Sequence, residues 1–262
     1  MKVGTQRRRV PTFVYNQNMS HLLLAGGAEF GGKMAEPDLH AIELAGGFDA
    51  PICIIPTATA PDHNHKRAGN NGVRWFQSLG AKNVFVADVI DSKSANDSSL
   101  AASIRTSKLI YILGGFPSFL GETLTNSLCW QAMLQVYEND GVIGGSSAGA
   151  MVLCEFYYDP YEKKLLNGLN LIPNACVLPH HNQFGKTWAK NLRTLLPNSI
   201  LIGIDEQTGI ISRSASRQKD KDVSQFSGAT HPLDWQVYGK GEVTVYRSES
   251  TVTVGRGGKF SF

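Results

Sequence analysis

The 262-residue sequence has little net charge, few cysteines and no long apolar run, and each shortage closes off a class of protein. Its 25 Lys and Arg stand against 22 Asp and Glu, a formal charge of +3 at pH 7. A phosphate-binding surface needs a clustered basic face, which this balance does not supply. The one dense basic cluster, Arg7-Arg8-Arg9, falls in the first nine residues and is read as part of a solvated tail. No stretch approaches the ~18 consecutive apolar residues of a membrane span. Residues 10–19 are interrupted by Pro11, Asn16, Gln17 and Asn18, so they do not read as a secretory signal. Cys53, Cys129, Cys154 and Cys176 share no C-x-x-C spacing. That argues against a zinc site or a small disulfide framework and predicts buried thiols in a reducing compartment. A cytoplasmic protein with no nucleic-acid and no membrane partner is expected.

What the sequence has is glycine, 27 residues or about 10% against a usual ~7%, and enough apolar residues to exclude a disordered chain. The length allows one domain or two. Short β-type apolar runs at 22–25, 51–55, 84–86, 109–113 and 142–143 alternate with helical patterns at 37–44, 70–79, 97–106 and 120–137. Continuous apolar strands separated by helices predict an α/β fold with a mainly parallel central sheet flanked by helices. Such sheets place ligands at the carboxyl ends of their strands. Four of these runs end there on Gly26-Gly27, Pro56-Thr57, Gly114-Gly115 and Gly144-Gly145. Further on, 175–178 and 200–204 read as strands, 188–196 as a helix, and 243–246 with 252–254 as a C-terminal β-hairpin. The polar stretch 213–234 reads as a surface loop. No internal repeat or second-domain boundary is visible. The expectation is a flexible tail over 1–19 and a single domain over 20–262.

The strongest local signal is Gly145-Ser146-Ser147-Ala148-Gly149 between an apolar strand and a helical pattern. G-x-S-x-G in that context is a sharp strand-to-helix turn that lifts its central serine above the sheet edge. Ser147 is then a nucleophile, and the helix opening at Ala148 offers unpaired N–H groups to an oxyanion. A glycine-rich turn that binds phosphate or only packs is the bland alternative. A serine needs a base to take its proton and a third group to orient that base. His180 and His181 follow the run 175–178, and Asp205-Glu206 follow 200–204. The order is therefore Ser147, His180, then Glu206 or Asp205. An α/β-hydrolase order of Ser147, Asp205 and His231 would put the base in the polar 213–234 stretch and leave His180 and His181 without a role. Asp62-His63-Asn64-His65 lacks further ligands at suitable spacing and reads as a polar loop, so no metal site is expected.

The elbow Gly144-Gly145-Ser146-Ser147-Ala148-Gly149-Ala150 resembles that of peptidase family S51, the cyanophycinase and dipeptidase E group. In order along the chain, Leu24-Ala25-Gly26-Gly27, Ile55-Pro56-Thr57-Ala58, Ile112-Leu113-Gly114-Gly115 and His180 agree with it. So do Gly203-Ile204-Asp205-Glu206-Gln207-Thr208 and Val237-Tyr238-Gly239-Lys240-Gly241. The resemblance covers about residues 20–255. It implies a class I glutamine amidotransferase-like fold and a Ser-His-Glu triad of Ser147, His180 and Glu206. The Gly115 and Ala148 amides would form the oxyanion hole, and no metal or organic cofactor is implied. Cyanophycinases carry Asp-Gln where Phe116-Pro117 stands here, and an arginine-rich segment where Asn182-Gln183-Phe184-Gly185-Lys186 stands. His181, Asp205 and Phe116 are expected at the substrate. The resulting expectation is a serine peptidase or amide hydrolase acting on a small peptide or isopeptide, with a homodimer allowed. The alternatives are an α/β-hydrolase-type esterase and a non-catalytic ligand-binding protein of the same fold.

Overall fold

Short apolar strands that must be covered on both faces dictate the first half of the computed structural model, which describes residues 20–213 and 234–262. The tail 1–19, most of the predicted loop and His231 lie outside the described residues. In chain order, β1 (His21–Ala25), α1 (Ala35–Leu44), β2 (Ile52–Ile55), α2 (His65–Ser78) and β3 (Val84–Val86) come first. They are followed by α3 (Ser92–Ala95), α4 (Ser98–Ile104), β4 (Leu109–Ile112), α5 (Pro117–Leu124), α6 (Leu128–Glu138), β5 (Val142–Ser146) and α7 (Ala148–Val152). Strands β1, β5, β4, β2 and β3 pair in that order, all parallel. Every residue of β1, β2, β4 and β5 is buried, which is why they read as unbroken apolar runs rather than as alternation.

The second half builds a second sheet. It comprises β6 (Cys154–Asp159), β7 (Lys164–Asn167), β8 (Ile172–Leu178), α8 (Ala189–Leu195), β9 (Ile200–Ile204) and β10 (Thr208–Arg213). After these come β11 (Asp234–Gly239), β12 (Val243–Tyr246), β13 (Thr251–Val254) and β14 (Lys259–Ser261). Strand β10 returns antiparallel to β1, and β11 and β14 extend that first sheet to eight strands. The other six form a sheet ordered β13-β12-β9-β8-β6-β7, parallel only at β6–β8 and β8–β9. The fold is α/β with mixed sheets, the first largely parallel, flanked by helices, and β12–β13 is the expected hairpin. Leu22, Ile143, Met151, Val177, Ile202 and Val245 pack into one core, so the two sheets bury their apolar faces against shared material. A separate core under α1 and α2 gathers Leu23, Ile42, Ile54, Phe76 and Tyr111. All four cysteines are buried and unpaired. Among the described residues no helix is long and apolar enough to cross a membrane.

Three local expectations need correction. The helix expected over 120–137 is two helices. Asn126 adopts left-handed backbone (φ 59°), and Ser127 Oγ accepts the Trp130 N–H at 3.0 Å, a serine cap that starts a new helix. The helix expected from 70 begins at His65, so only 62–64 of the Asp62–His65 cluster is a turn, held by the Asn64 N–H on Asp62 Oδ1. Strands β8 and β9, read as further strands of a single central sheet with their carboxyl ends beside Ser147, belong instead to the second sheet.

Asp38 on α1 is fully buried in the core under α1 and α2. Its Oδ2 accepts the Trp75 indole N–H at 2.7 Å, while Oδ1 has no partner among the described residues. Burial pushes its pKa up to about 7, opposed by the Trp75 hydrogen bond and aided by the charge of Glu29. The folded state thus holds a proton that the unfolded chain releases near pH 4. The associated stability is full below that value and is lost as pH rises toward about 7. The total is roughly 4 kcal/mol at 1.36 kcal/mol per pKa unit. Asp38→Asn should therefore raise the melting temperature at pH 8, by roughly 1–3 kcal/mol in stability, and flatten its fall between pH 4 and 7. Equal pH profiles for the two proteins in thermal melts would contradict this assignment.

Candidate active site

Strand β5 delivers Ser147 into a turn that only small neighbours permit. Ser147 has φ 49° and ψ −113° and stands immediately before α7. Its N–H is held by the Ala25 carbonyl at 3.0 Å, and its own carbonyl accepts the Met151 N–H at 3.0 Å. A Cβ on Gly145 would lie 2.5 Å from the Gly149 carbonyl carbon, and one on Gly149 would strike the Ile112 carbonyl oxygen. The two glycines of the G-x-S-x-G pattern are thus required by backbone packing.

The ends of β8 and β9 bring two histidines and two acids to this turn, and they divide into separate pairs. His180 Nε2 lies 3.0 Å from Ser147 Oγ, and His180 Nδ1 lies 2.8 Å from Glu206 Oε1. A carboxylate can only accept, which assigns the proton to Nδ1 and leaves Nε2 to accept the serine hydroxyl proton. His180 carries left-handed backbone (φ 47°), and its N–H is fixed to the Gly26 carbonyl at 2.7 Å. Its ring stacks on Phe184 with centroids 4.9 Å apart. The Glu206 N–H is held by Asn182 Oδ1 at 3.0 Å.

His181 and Asp205, expected at the substrate, point the other way. His181 Nδ1 lies 3.5 Å from Asp205 Oδ1 and Nε2 lies 2.9 Å from the Tyr246 hydroxyl. Asp205 Oδ2 also accepts the Glu242 N–H at 3.0 Å. The His181 side chain is 6% exposed, and burial, partly offset by Asp205, lowers its pKa. With both ring nitrogens engaged, His181 ties β8, β9 and β12 together and has none left for a ligand. The two histidines follow β8 and the two acids follow β9 in tight turns, and the left-handed backbone at His180 sends its ring toward Ser147 while the ring of His181 goes into the interior. Only one histidine and one acid of each tandem pair can reach Ser147. Asp205 is therefore also taken from the Ser147, Asp205, His231 order.

Of the other two expected residues, Ala148 directly follows Ser147, and Gly115 follows Gly114, whose Cβ position would lie 3.0 Å from Ser147 Cβ. Ala148 is the first residue of α7 and has no helical acceptor for its N–H. Gly115 (φ 143°) makes no N–H hydrogen bond among the described residues, although its neighbour Phe116 donates to the Ala58 carbonyl at 2.8 Å. Phe116 stacks on Tyr161 with centroids 5.1 Å apart. Tyr161 is 66% exposed and sits in a turn whose N–H groups are held by Asp159, itself bonded by Ser118. These rings form a rim next to Gly115. Among the described residues no group of three or more His, Cys, Asp or Glu side chains could hold a metal ion.

Sequence reasoning missed Gly27, Glu29, Asn182, Phe184 and Tyr161. The signal for the first two was present, since Gly26-Gly27-Ala28-Glu29 follows a buried strand at the edge where the site lies. The others come together only through the second sheet.

Residues 22–218 match the family model described as Peptidase family S51. The chain is similar to a cyanophycinase of Geminocystis herdmanii, with 29% identity over 240 residues that cover 86% of this chain and 80% of that protein. Among solved structures it is similar to the crystal structure of a peptidase from an acI-B1 Actinobacterium, with TM-score 0.79 and 29% identity. That match covers 94% of this chain and 98% of the other. A putative peptidase E protein from Listeria monocytogenes shares the fold at TM-score 0.56 and 21% identity, over 75% of this chain and 95% of that one.

Gly27 (φ 118°) gives a test of the geometry. A Cβ there would lie 2.6 Å from His180 Nε2 and closer still to Cε1, so Gly27→Ala must displace the imidazole from Ser147. The expected result is a fall of at least about 100-fold in the rate of Ser147 labelling by a fluorophosphonate. Folding should survive with a stability loss of about 1–2 kcal/mol from the left-handed alanine. Unchanged labelling in a folded variant would contradict the contact.

Proposed function

The chain belongs to peptidase family S51, and from that premise we propose that it is a serine hydrolase cleaving an amide bond in a small peptide or isopeptide. The reading rests on one observation above all, the unbroken hydrogen-bond path from Ser147 Oγ through His180 to Glu206. Ser147 Oγ attacks the carbonyl carbon while His180 Nε2 takes its proton. Glu206 keeps the Nδ1 proton in place and stabilises the imidazolium that forms. The substrate oxygen, negative in the tetrahedral intermediate, is held by the Gly115 and Ala148 N–H groups. His180 then protonates the leaving amine, and water attacks the acyl-serine by the same route in reverse.

The left-handed backbone of the half-buried Ser147 favours this role, because such strain collects at functional sites. The commitment of Asp205 to His181 and the Glu242 N–H weakens the esterase alternative, and the outward rims of Phe116, Tyr161 and Phe184 suit a short substrate entering over α5 and β8.

Fluorophosphonate labelling and turnover of a dipeptide and isopeptide library test the reading. Ser147→Ala should abolish both, and His180→Ala should slow labelling about 10³–10⁴-fold. Glu206→Gln should slow it about 10²–10⁴-fold through loss of the oriented tautomer. Full peptidase activity in Ser147→Ala rejects the mechanism. Lost labelling in Asp205→Asn with His180→Ala unaffected would favour the esterase order, and a folded wild-type protein that never labels would favour a ligand-binding role.

A further inference from the structure

Glu29 puts beside the nucleophile a carboxylate that the proposed triad does not use. The loop after β1 is bent to place it there. Ala28 and Phe30 on either side both hold left-handed backbone, at φ 55° and 63°, a conformation that side-chain-bearing residues avoid and that collects at functional sites. Phe30 is anchored by its ring against Trp75 and Tyr111, with centroids 6.5 and 5.9 Å away. Glu29 is thereby turned over the elbow, where its Oε2 accepts the Ser146 hydroxyl at 2.9 Å.

The second oxygen lies near the nucleophile's backbone. Glu29 Oε1 lies 3.5 Å, and Ser147 Cβ 3.0 Å, from the point that a Cβ on Gly114 would occupy. The carboxylate and the nucleophile therefore border the same small space, one residue before the Gly115 amide. Glu29 is half-buried, and no cationic side chain pairs with it among the described residues. A lone carboxylate there opposes attack on a neutral substrate, because negative charge grows on the nearby substrate oxygen in the transition state. A cation on the substrate removes the conflict. It pairs with Glu29 and leaves the oxyanion to the two amides.

We propose that Glu29 is a specificity-determining residue that selects substrates bearing a protonated amine on the acyl side of the scissile bond, with Oε1 accepting a hydrogen bond from that ammonium. The inference rests on the serine-hydrolase reading above and adds to it the charge of the substrate. An α-ammonium, two bonds from the scissile carbonyl, and a lysine-type side-chain ammonium present the same donors, and the choice of substrates separates them.

The test is kcat/KM for the wild type and Glu29→Gln on dipeptides offered in matched free-amine and N-acetylated forms, with N-acetyl-lysyl members included. Glutamine keeps an oxygen for Ser146 and removes the charge. The wild type should prefer the amine-bearing member of each pair by about 100-fold, and Glu29→Gln should bring the ratio to within about threefold, chiefly through KM. Preference confined to free amino termini identifies the α-ammonium, and preference kept by N-acetyl-lysyl members identifies the side chain. The proposal is overturned if the wild type shows no preference, or if Glu29→Gln slows both members of a pair by the same factor, as a mere elbow clamp would. Should the variant fail to fold by circular dichroism, the wild type decides. An amino acid amide must then protect Ser147 from fluorophosphonate while its N-acetyl form does not, and equal protection overturns the role. Wild-type labelling without amine preference rejects Glu29 alone, whereas no labelling at all rejects the hydrolase reading with it.

Discussion

The close seating of the second sheet on the glycine end of β1 sets every distance in the site. Gly26 donates its N–H to the Thr208 carbonyl at 3.0 Å and accepts the His180 N–H at 2.7 Å, while the Gly27 carbonyl accepts the Gln207 N–H at 3.0 Å. Ser147 comes from one sheet, and His180 and Glu206 follow strands of the other. Backbone hydrogen bonds, which have little positional freedom, register the two halves where the side chains must meet. Any Cβ on Gly26 would run into the carbonyl groups of Ile204 and Asp205. Approach this close is available only to a residue with no side chain, and the shared core that includes Leu24, Val177 and Ile204 holds the sheets to it.

Backbone strain is distributed to match. Among the described residues, Ala28, Phe30, Ser147, His180 and Gln207 are five of the eleven non-glycine residues with left-handed backbone, and all five flank the cleft. Such conformations persist only where surrounding contacts over-determine them. Here those contacts are identifiable: the Ala25 carbonyl on Ser147, Gly26 on His180, Gly27 on Gln207 and the aromatic cluster around Phe30. The elbow is therefore held by neighbours on three strand ends.

Much of this was legible in the sequence, for a physical reason. Buried parallel strands announce themselves as unbroken apolar runs, and the elbow needs glycine at fixed offsets, so β1 to β5 and the turn at Ser147 could be read from residue types alone. The second sheet was legible only in part. Its β8, β9, β12 and β13 read as strands, but β7, with no buried residue, and β14 at the edge of the first sheet carry too little apolar pattern to stand out. The break between α5 and α6 depends on one left-handed asparagine and one serine cap, which local patterning averages away. The sequence placed His180-His181 and Asp205-Glu206 just past strand ends, but which member of each pair faces Ser147 is set by the turn backbone there, left-handed at His180. Only the packed sheets decide that. Asp38 and Glu29 were hidden for a related reason, since a single acid in a helix or loop looks solvated until its surroundings are known.

The tandem pairs carry a consequence for how such a site can change over time. Each strand end presents one residue of a pair to the cleft and its neighbour to the interior, where His181 and Asp205 are bonded to each other. Deleting one residue before His180 would bring His181 to its place and Asn182 to the place of His181, so the cleft would keep an imidazole while Asp205 and the Tyr246 hydroxyl lost theirs. Deleting one residue before Asp205 would bring Gln207 to the place of Glu206 and take the carboxylate from His180 Nδ1. No one-residue shift refills both positions of a tandem pair, so the ends of β8 and β9 are fixed in length by two contacts each, one in the cleft and one in the interior.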